Sequence, residues 1–475
     1  MNRLLISLPL LALAACGGND VCKLDDPGTC GSGQVCEVVQ GQTDPACFQP
    51  VLLQGRVFDL TTDAGIPNAQ VTAEEVSGRS VGQVAVTQPD GTYSLQVPSI
   101  RSDTKGTPLG ETITLSAAAR DYTAFPSGFR VALPVDTQGA TATDAAKAYV
   151  VTSGPTTIGL DPVAANLRGL PSISGKVDVT TADGGVSDTE ILVAAEQQGG
   201  TGTPGTVTGR ADSTGAYTLF NVPAGSYAVQ AYRQGVNYTA ANATVASADV
   251  PNINLALSQT PTATLSGTVD IVAAAGGSMT SVVVALESTF NDALARGTLV
   301  PGLRSPSPGT APDVTGAFSI PGMPDGKYVV LAAFENDGLV RDPDPNIAGT
   351  QIQHLEVTGG AISVQPSFKV TSAMAMVGPG AGDTVEDVTG TPAFTWHPYS
   401  SAHSYKVQLF DSLGTEIWNT TLAAGSGADE SVPYAGSTAL VPGTVYQWRA
   451  TAYGQNGNPI SQTEDLKGVF ELTAP

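Results

Sequence analysis

The reading of the fold turns on the stretch from Ser174 to Ala231. It opens Ser174-Gly175-Lys176-Val177-Asp178, continues Asp212-Ser213-Thr214-Gly215-Ala216-Tyr217-Thr218-Leu219, and closes Val222-Pro223-Ala224-Gly225-Ser226-Tyr227-Ala228-Val229. The same order of signals occurs upstream as Gly55-Arg56-Val57-Phe58-Asp59, then Pro89-Asp90-Gly91-Thr92-Tyr93-Ser94-Leu95, then Val97-Pro98. Downstream it occurs as Gly267-Thr268-Val269-Asp270, then Asp313-Val314-Thr315-Gly316-Ala317-Phe318-Ser319-Ile320, then Met323-Pro324-Asp325-Gly326-Lys327-Tyr328-Val329-Val330. Three copies in one order indicate tandem units. Asp-x-x-Gly or Asp-Gly ahead of aromatic-x-aliphatic is a turn feeding a strand, because Gly takes the positive φ and Asp bonds its own backbone two residues on. The aromatic and the aliphatic then share a face, as do Tyr227, Val229 and Ala231, and Tyr328, Val330 and Ala332. Such alternation marks a sheet with one buried and one wet face.

These signals resemble the carboxypeptidase regulatory-like family, a transthyretin-like β-sandwich. The resemblance covers the second and third copies well. The first departs from it after Pro98, where Ser99 to Gly110 reads as an inserted loop. The resemblance implies an all-β fold, and the family name does not imply protease activity. Within that family the module is an accessory to carboxypeptidases, a stalk, a receptor-plug neighbour or a carbohydrate-binding-like fold, so it fixes fold better than function.

The last hundred residues differ. Pro392-Ala393-Phe394-Thr395-Trp396 leads to Tyr405-Lys406-Val407-Gln408-Leu409-Phe410-Asp411 and then to Leu440-Val441-Pro442-Gly443-Thr444-Val445-Tyr446-Gln447-Trp448. Leu-x-Pro-Gly-x-x-Tyr resembles the tyrosine corner of immunoglobulin-like and fibronectin type III sandwiches, in which the Tyr hydroxyl caps a backbone group. That implies Trp396 as a core tryptophan. All three tryptophans, Trp396, Trp418 and Trp448, lie in this module. They would fill its core, or one of them would stack on a sugar ring.

The expected fold is therefore all-β. Tandem β-sandwiches, three regulatory-like and one fibronectin type III or Ig-like, follow a small disulfide-rich segment. The expected divisions are a leader at 1–15, a collar at 16–49, sandwiches at 50–168, 169–260 and 261–373, and the terminal sandwich at 374–475. Length agrees, since 475 residues suit three or four domains. Each repeat carries its own start, turn and closing signals, so each is expected to close its own core. With the short, Pro-containing linker Ser258 to Thr262, the expectation is an elongated row. Gly199 to Gly205 reads as a hairpin tip, and Pro301 in the insertion Glu287 to Asp313 argues for a surface loop there.

The N-terminus has Arg3, an apolar run from Leu4, and Leu13-Ala14-Ala15-Cys16. The run is of signal-peptide length and too short to span a bilayer. The ending resembles the lipobox of bacterial lipoproteins, which implies cleavage before Cys16 and its lipidation, with anchoring of about 0.8 kcal/mol per buried CH₂. Gly17 stands where the inner-membrane retention signal has Asp, which favours the outer membrane. Cys22, Cys30, Cys36 and Cys47 follow. An even count in an oxidising compartment predicts two disulfides, with three pairings open. The rival zinc site lacks any Cys-x-x-Cys pair.

A net charge of −22 with only 13% charged residues excludes nucleic acid as a partner, which needs a basic footprint. The densest group of side-chain oxygens lies between Phe334 and Asn346. Asp342, Asp344 and Asn346 have one-three-five spacing, and Asp337 precedes them. Ile347 and Gln353 stand where an EF-hand needs Gly and Glu, so the alternatives are a turn-rich loop or a weak calcium site. No His-Glu-x-x-His or phosphate loop occurs, and His354, His397 and His403 lack an evident ligand set. No catalytic residue and no cofactor other than calcium is expected. The expected function is a non-enzymatic, lipid-anchored surface protein presenting binding loops to a glycan or a cell-surface protein. The alternatives are a carbohydrate-binding accessory lipoprotein and, remotely, an enzyme with an unfamiliar site.

Overall fold

In the computed structural model the described residues are 22–24, 29–75, 83–126, 130–144, 147–180, 190–198, 205–272, 281–291, 297–307, 314–333, 353–371, 373–382, 384–464 and 467–474. They form an all-β protein of tandem sandwiches. Among them no helix is long and apolar enough to cross a membrane.

The three copies share one closure. The strands Val51–Asp59, Ile173–Lys176 and Ala263–Val272 each pair antiparallel with the strand after the Asp-Gly turn. In that register Gly55 faces Tyr93, Gly175 faces Tyr217, and Gly267 faces Phe318. The segment closing each repeat returns across the glycine. A Cβ on Gly55 would lie 1.8 Å from the Thr156 carbonyl oxygen, one on Gly175 1.9 Å from that of Ile253, and one on Gly267 2.3 Å from that of Pro366. The same carbonyl accepts the hydroxyl of the facing aromatic, Tyr93 at 2.7 Å and Tyr217 at 2.6 Å. Burial raises both hydroxyls well above the ordinary tyrosine value, so they stay protonated donors. Phe318 keeps the ring without the hydroxyl. The Pro-x-Gly-x-Tyr signal has a second local reason: Tyr227 donates to the Pro223 carbonyl at 2.9 Å and Tyr328 to that of Pro324 at 2.8 Å.

In the first repeat Val51–Asp59 also takes Ala148–Val151 and Thr157–Leu160 in parallel on its other side. Gln70–Glu75 and Thr112–Ala118 are central to the facing sheet. Val51–Asp59 alternates buried and half-buried residues, with one face in the core. Thr137–Gly139 is a 3-10 turn and Thr141–Thr143 a strand.

The second repeat has a core of its own, but part of it also extends into the core of the third. Ile191–Gln197 is buried on both faces from Ile191 to Ala195. Ile191, Val193 and Ala195 pack with Tyr217, Leu219, Tyr227 and Val229 inside their own sandwich. Leu192, Ala194 and Tyr232 belong to the core of the third sandwich, with Val282, Val284, Leu286, Tyr328 and Val330. Tyr232 meets Tyr328 edge-on at 6.2 Å. The expected row of self-contained units is corrected here by the doubly apolar strand, which a lone sandwich would leave with one face wet. Hydrogen bonds finish the seam: Gly235 N–H donates to Gly322 O at 2.8 Å, Gln234 Nε2 to Pro321 O at 2.9 Å, and Asp325 N–H to Asn237 Oδ1 at 2.6 Å.

A second correction falls on the insertion after Glu287. Leu299–Ser305 is a strand, not a surface loop, and pairs with Ser281–Leu286. Register shifts between Val283 and Ala285, and this irregularity accommodates Pro301-Gly302, with Gly302 at φ 79°. The residues 199–204 and 308–313 lie outside the described residues.

The first and second repeats meet through Asn221, whose Nδ2 donates to Tyr122 O at 2.9 Å and Ala119 O at 3.1 Å, and through Arg120 with Asp249 at 2.8 Å. Arg210 also crosses the seam, 2.8 Å from Glu74 and 3.5 Å from Glu190. Burial holds the Glu190 carboxyl up at about 7, with Arg210 opposing the rise.

These contacts predict how a core defect spreads. Gly175→Val forces the Ile253 segment off its strand and should cost on the order of 3 kcal/mol, and Tyr217→Phe about 1 kcal/mol. Because the core is shared, the second and third repeats should melt together and earlier in far-ultraviolet circular dichroism. Tryptophan emission, which reports the terminal module alone, should keep its own transition. An unchanged melt for Gly175→Val would contradict the closure.

Candidate functional site

Cys16 lies outside the described residues, and so do Asp337, Asp342, Asp344 and Asn346. Of the open cysteine pairings the structure has Cys22–Cys36 and Cys30–Cys47. They close loops of 14 and 17 residues, each contributing about 3 kcal/mol in the chain-entropy account. The sulfurs of Cys22, Cys30 and Cys47 lie within 4.8 Å of one another because the two bridges sit side by side. Sulfur bound in a disulfide cannot supply the thiolate that zinc needs.

The collar sits in a socket on the first sandwich, and the inserted loop Ser99 to Gly110 builds that socket. Arg101 is completely buried. Its Nε donates to Glu37 Oε2, its Nη1 to Gly106 O at 2.9 Å, and its Nη2 to Gln49 O at 2.7 Å. The guanidinium lies over Phe48 at 5.3 Å and Tyr149 at 5.4 Å. Backbone bonds run both ways, Arg101 N–H to Val38 O at 2.8 Å and Gln40 N–H to Arg101 O at 2.7 Å. Ser99 N–H donates to Glu37 Oε1 at 2.8 Å. Sequence reading missed Arg101, although a lone Arg beside a departure from the repeat pattern was the available signal.

The terminal module does not sit at the far end of a row. Its turn Asp411 to Gly414 rests on the first sandwich. Arg130 Nη2 donates to Gly159 O at 2.8 Å and Leu413 O at 3.0 Å, and Val131 N–H donates to Gly414 O at 3.2 Å. Burial lowers the Arg130 pKa, opposed by Asp161 and Asp411, and its guanidinium stacks 4.7 Å over Phe125. Val131 and Leu133 of the first sandwich pack with Phe410, Val445 and Val469 of the terminal module.

Beside this seam lies a cleft of about 370 Å³ walled by both modules. Val135, Val151, Pro155 and Val445 form an apolar lining, and Gln138 and Thr384 bring polar groups. Such a cleft between modules is where small ligands or short peptide segments are held.

The other candidates are separate. His354 pairs with Glu287 at 2.7 Å and His397 with Asp429 at 2.6 Å, while His403 N–H bonds Tyr453 O. They do not converge. Trp396 and Trp448 are fully buried, and Trp418 packs between Phe394 and Tyr434. Trp396 and Trp448 are thus core residues, while Trp418 is half-buried at the edge of that core. The corner hydrogen bond is present, from Val441 N–H to Tyr446 Oη at 2.9 Å.

No family model matches the chain, and no curated protein matches it. Among solved structures it is similar to a streptococcal ancillary pilin, at 11% identity and TM-score 0.18, over 68% of this chain and 99% of that one. Two B repeats of the collagen-binding protein of Staphylococcus aureus align at 14% identity and TM-score 0.18, over 87% and 99%. A DUF3823 family protein from Bacteroides ovatus aligns at 12% identity and TM-score 0.20, over 44% and 98%. At these TM-scores none of the likenesses carries weight for fold detail or function.

The Arg101 clamp predicts a local effect. Arg101→Met leaves the Glu37 carboxylate buried without its cation, which costs about 3–5 kcal/mol. Hydrogen exchange should speed up in residues 35–48 and 99–110 while the second and third repeats stay protected. Unchanged exchange in the collar would contradict the clamp.

Proposed function

We propose that this chain is a non-enzymatic, lipid-anchored protein of the bacterial surface, a structural or adhesive element that holds its sandwiches close to the outer membrane. The observation that carries the reading is the disulfide collar. Its first cysteine, Cys22, follows Cys16 by six residues, so a lipid on Cys16 would be tied through a short leash to two disulfides and a buried Arg101. Disulfides belong to an exported protein, and a rigid collar would pass the anchor's position directly to the first sandwich. The partner would be a glycan or a cell-surface protein, with the cleft lined by Val135, Gln138, Thr384 and Val445 as the place to look.

Cys16→Ser should move the protein from the membrane to the soluble fraction and remove acyl mass from the N-terminus. Retention in the membrane, or a mature N-terminus other than residue 16 without lipid, would overturn the anchor. The same soluble form on a glycan and cell-wall array separates a carbohydrate-binding accessory from a purely structural element.

A further inference from the structure

We propose that the terminal module pairs with a second copy of this chain through the free edge of the strand Glu416–Ala423. Among the described residues the strand ends its sheet, bonded on one side to Ser404–Phe410. It has eight residues, and among the described sheets only Gly316–Met323 is a terminal strand of equal length. That other edge carries Pro321 and is already used by Gln234 and Gly235. Native sheets block free edges with Pro, Lys or short strands. Glu416-Ile417-Trp418-Asn419-Thr420-Thr421-Leu422-Ala423 has no Pro and no Lys. Its one charge, Glu416, is held on its own sheet by Gln408 Nε2 at 2.5 Å and Asn419 Nδ2 at 2.6 Å.

The sequence of this edge fits itself. Trp418, Thr420 and Leu422 are half-buried on the inner face, while Asn419, Thr421 and Ala423 are exposed on the outer face. A two-fold axis normal to the sheet keeps both cores on one side, so residues of like parity must oppose each other. With the axis at Thr420, Trp418 faces the partner's Leu422 and Leu422 faces the partner's Trp418. Asn419 then faces the partner's Thr421, and Glu416 faces the partner's Ala424. Aromatic–aliphatic pairs are favourable across strands and like charges are not. In a chain of net charge −22 this register brings two copies together with no carboxylate opposite another.

The test uses the mature chain with Cys16→Ser and its collar disulfides intact. Sedimentation equilibrium should give twice the monomer mass. Thr420→Cys, on the axis, should form a disulfide-linked dimer in air, and exposed Ser437→Cys should not. Thr420→Lys, which sets two cations face to face, should give a monomer with unchanged tryptophan emission. A chain that stays monomeric at its solubility limit overturns the proposal. So does a dimer that Thr420→Lys leaves intact, or cross-linking of Thr420→Cys no greater than that of Ser437→Cys.

Discussion

The constraint the repeats depend on is the close approach of a carbonyl to a glycine. Each repeat brings its closing segment so near to the opening strand that a single methyl group at Gly55, Gly175 or Gly267 would overlap a backbone oxygen. The aromatic facing the glycine then covers the space left by the missing side chain. In two of the three copies it also satisfies the intruding oxygen with its hydroxyl. A buried carbonyl without a partner costs about 1–3 kcal/mol, so glycine, tyrosine and carbonyl form one unit. The other repeat signals, the Asp-Gly turn and Pro-x-Gly-x-Tyr, position the strands that make this contact.

With each repeat closed in this way, the outer faces of the central strands are left to pack. The second repeat puts Leu192, Ala194 and Tyr232 into the third. The first is joined to the second through Asn221, Arg120 and Arg210. The terminal module returns to the first sandwich, where Arg130 and Val131 hold its turn. The collar occupies another surface of that sandwich through Arg101. The first repeat is thus the hub that contacts the collar, the second repeat and the terminal module. Its insertion, Ser99 to Gly110, and its late segment around Arg130 are the parts that depart from the plain repeat, and both serve as docking surfaces.

What the sequence disclosed follows from the range of the forces involved. Turns, alternation and the tyrosine corner are local, and they were legible in Asp212 to Leu219 and Leu440 to Tyr446. The pairing of Cys22 with Cys36 and of Cys30 with Cys47 was not, because loop closure depends weakly on length. The shared core was written in Ile191-Leu192-Val193-Ala194-Ala195, which lacks the alternation of its neighbours. Reading each repeat as self-sufficient hid that signal. Pro301 misled because a bulge lets proline into a strand. The position of Arg101 in an insertion marked it out, but the partners of Arg101 and Arg130 were not legible, since nothing in a lone arginine reveals that they are carbonyls and a carboxylate far along the chain.

The return of the terminal module onto the first sandwich is the feature that most separates this protein from a string of independent units. A Cβ on Gly154 would lie 3.4 Å from Ser412 Cβ, close to the separation in a disulfide. Gly154→Cys combined with Ser412→Cys in the full mature chain should therefore form an intramolecular disulfide in air, found by peptide mapping. Reduction should leave both modules folded. If the two thiols stay free, or bridge only between molecules, the modules do not meet and the packed arrangement is wrong.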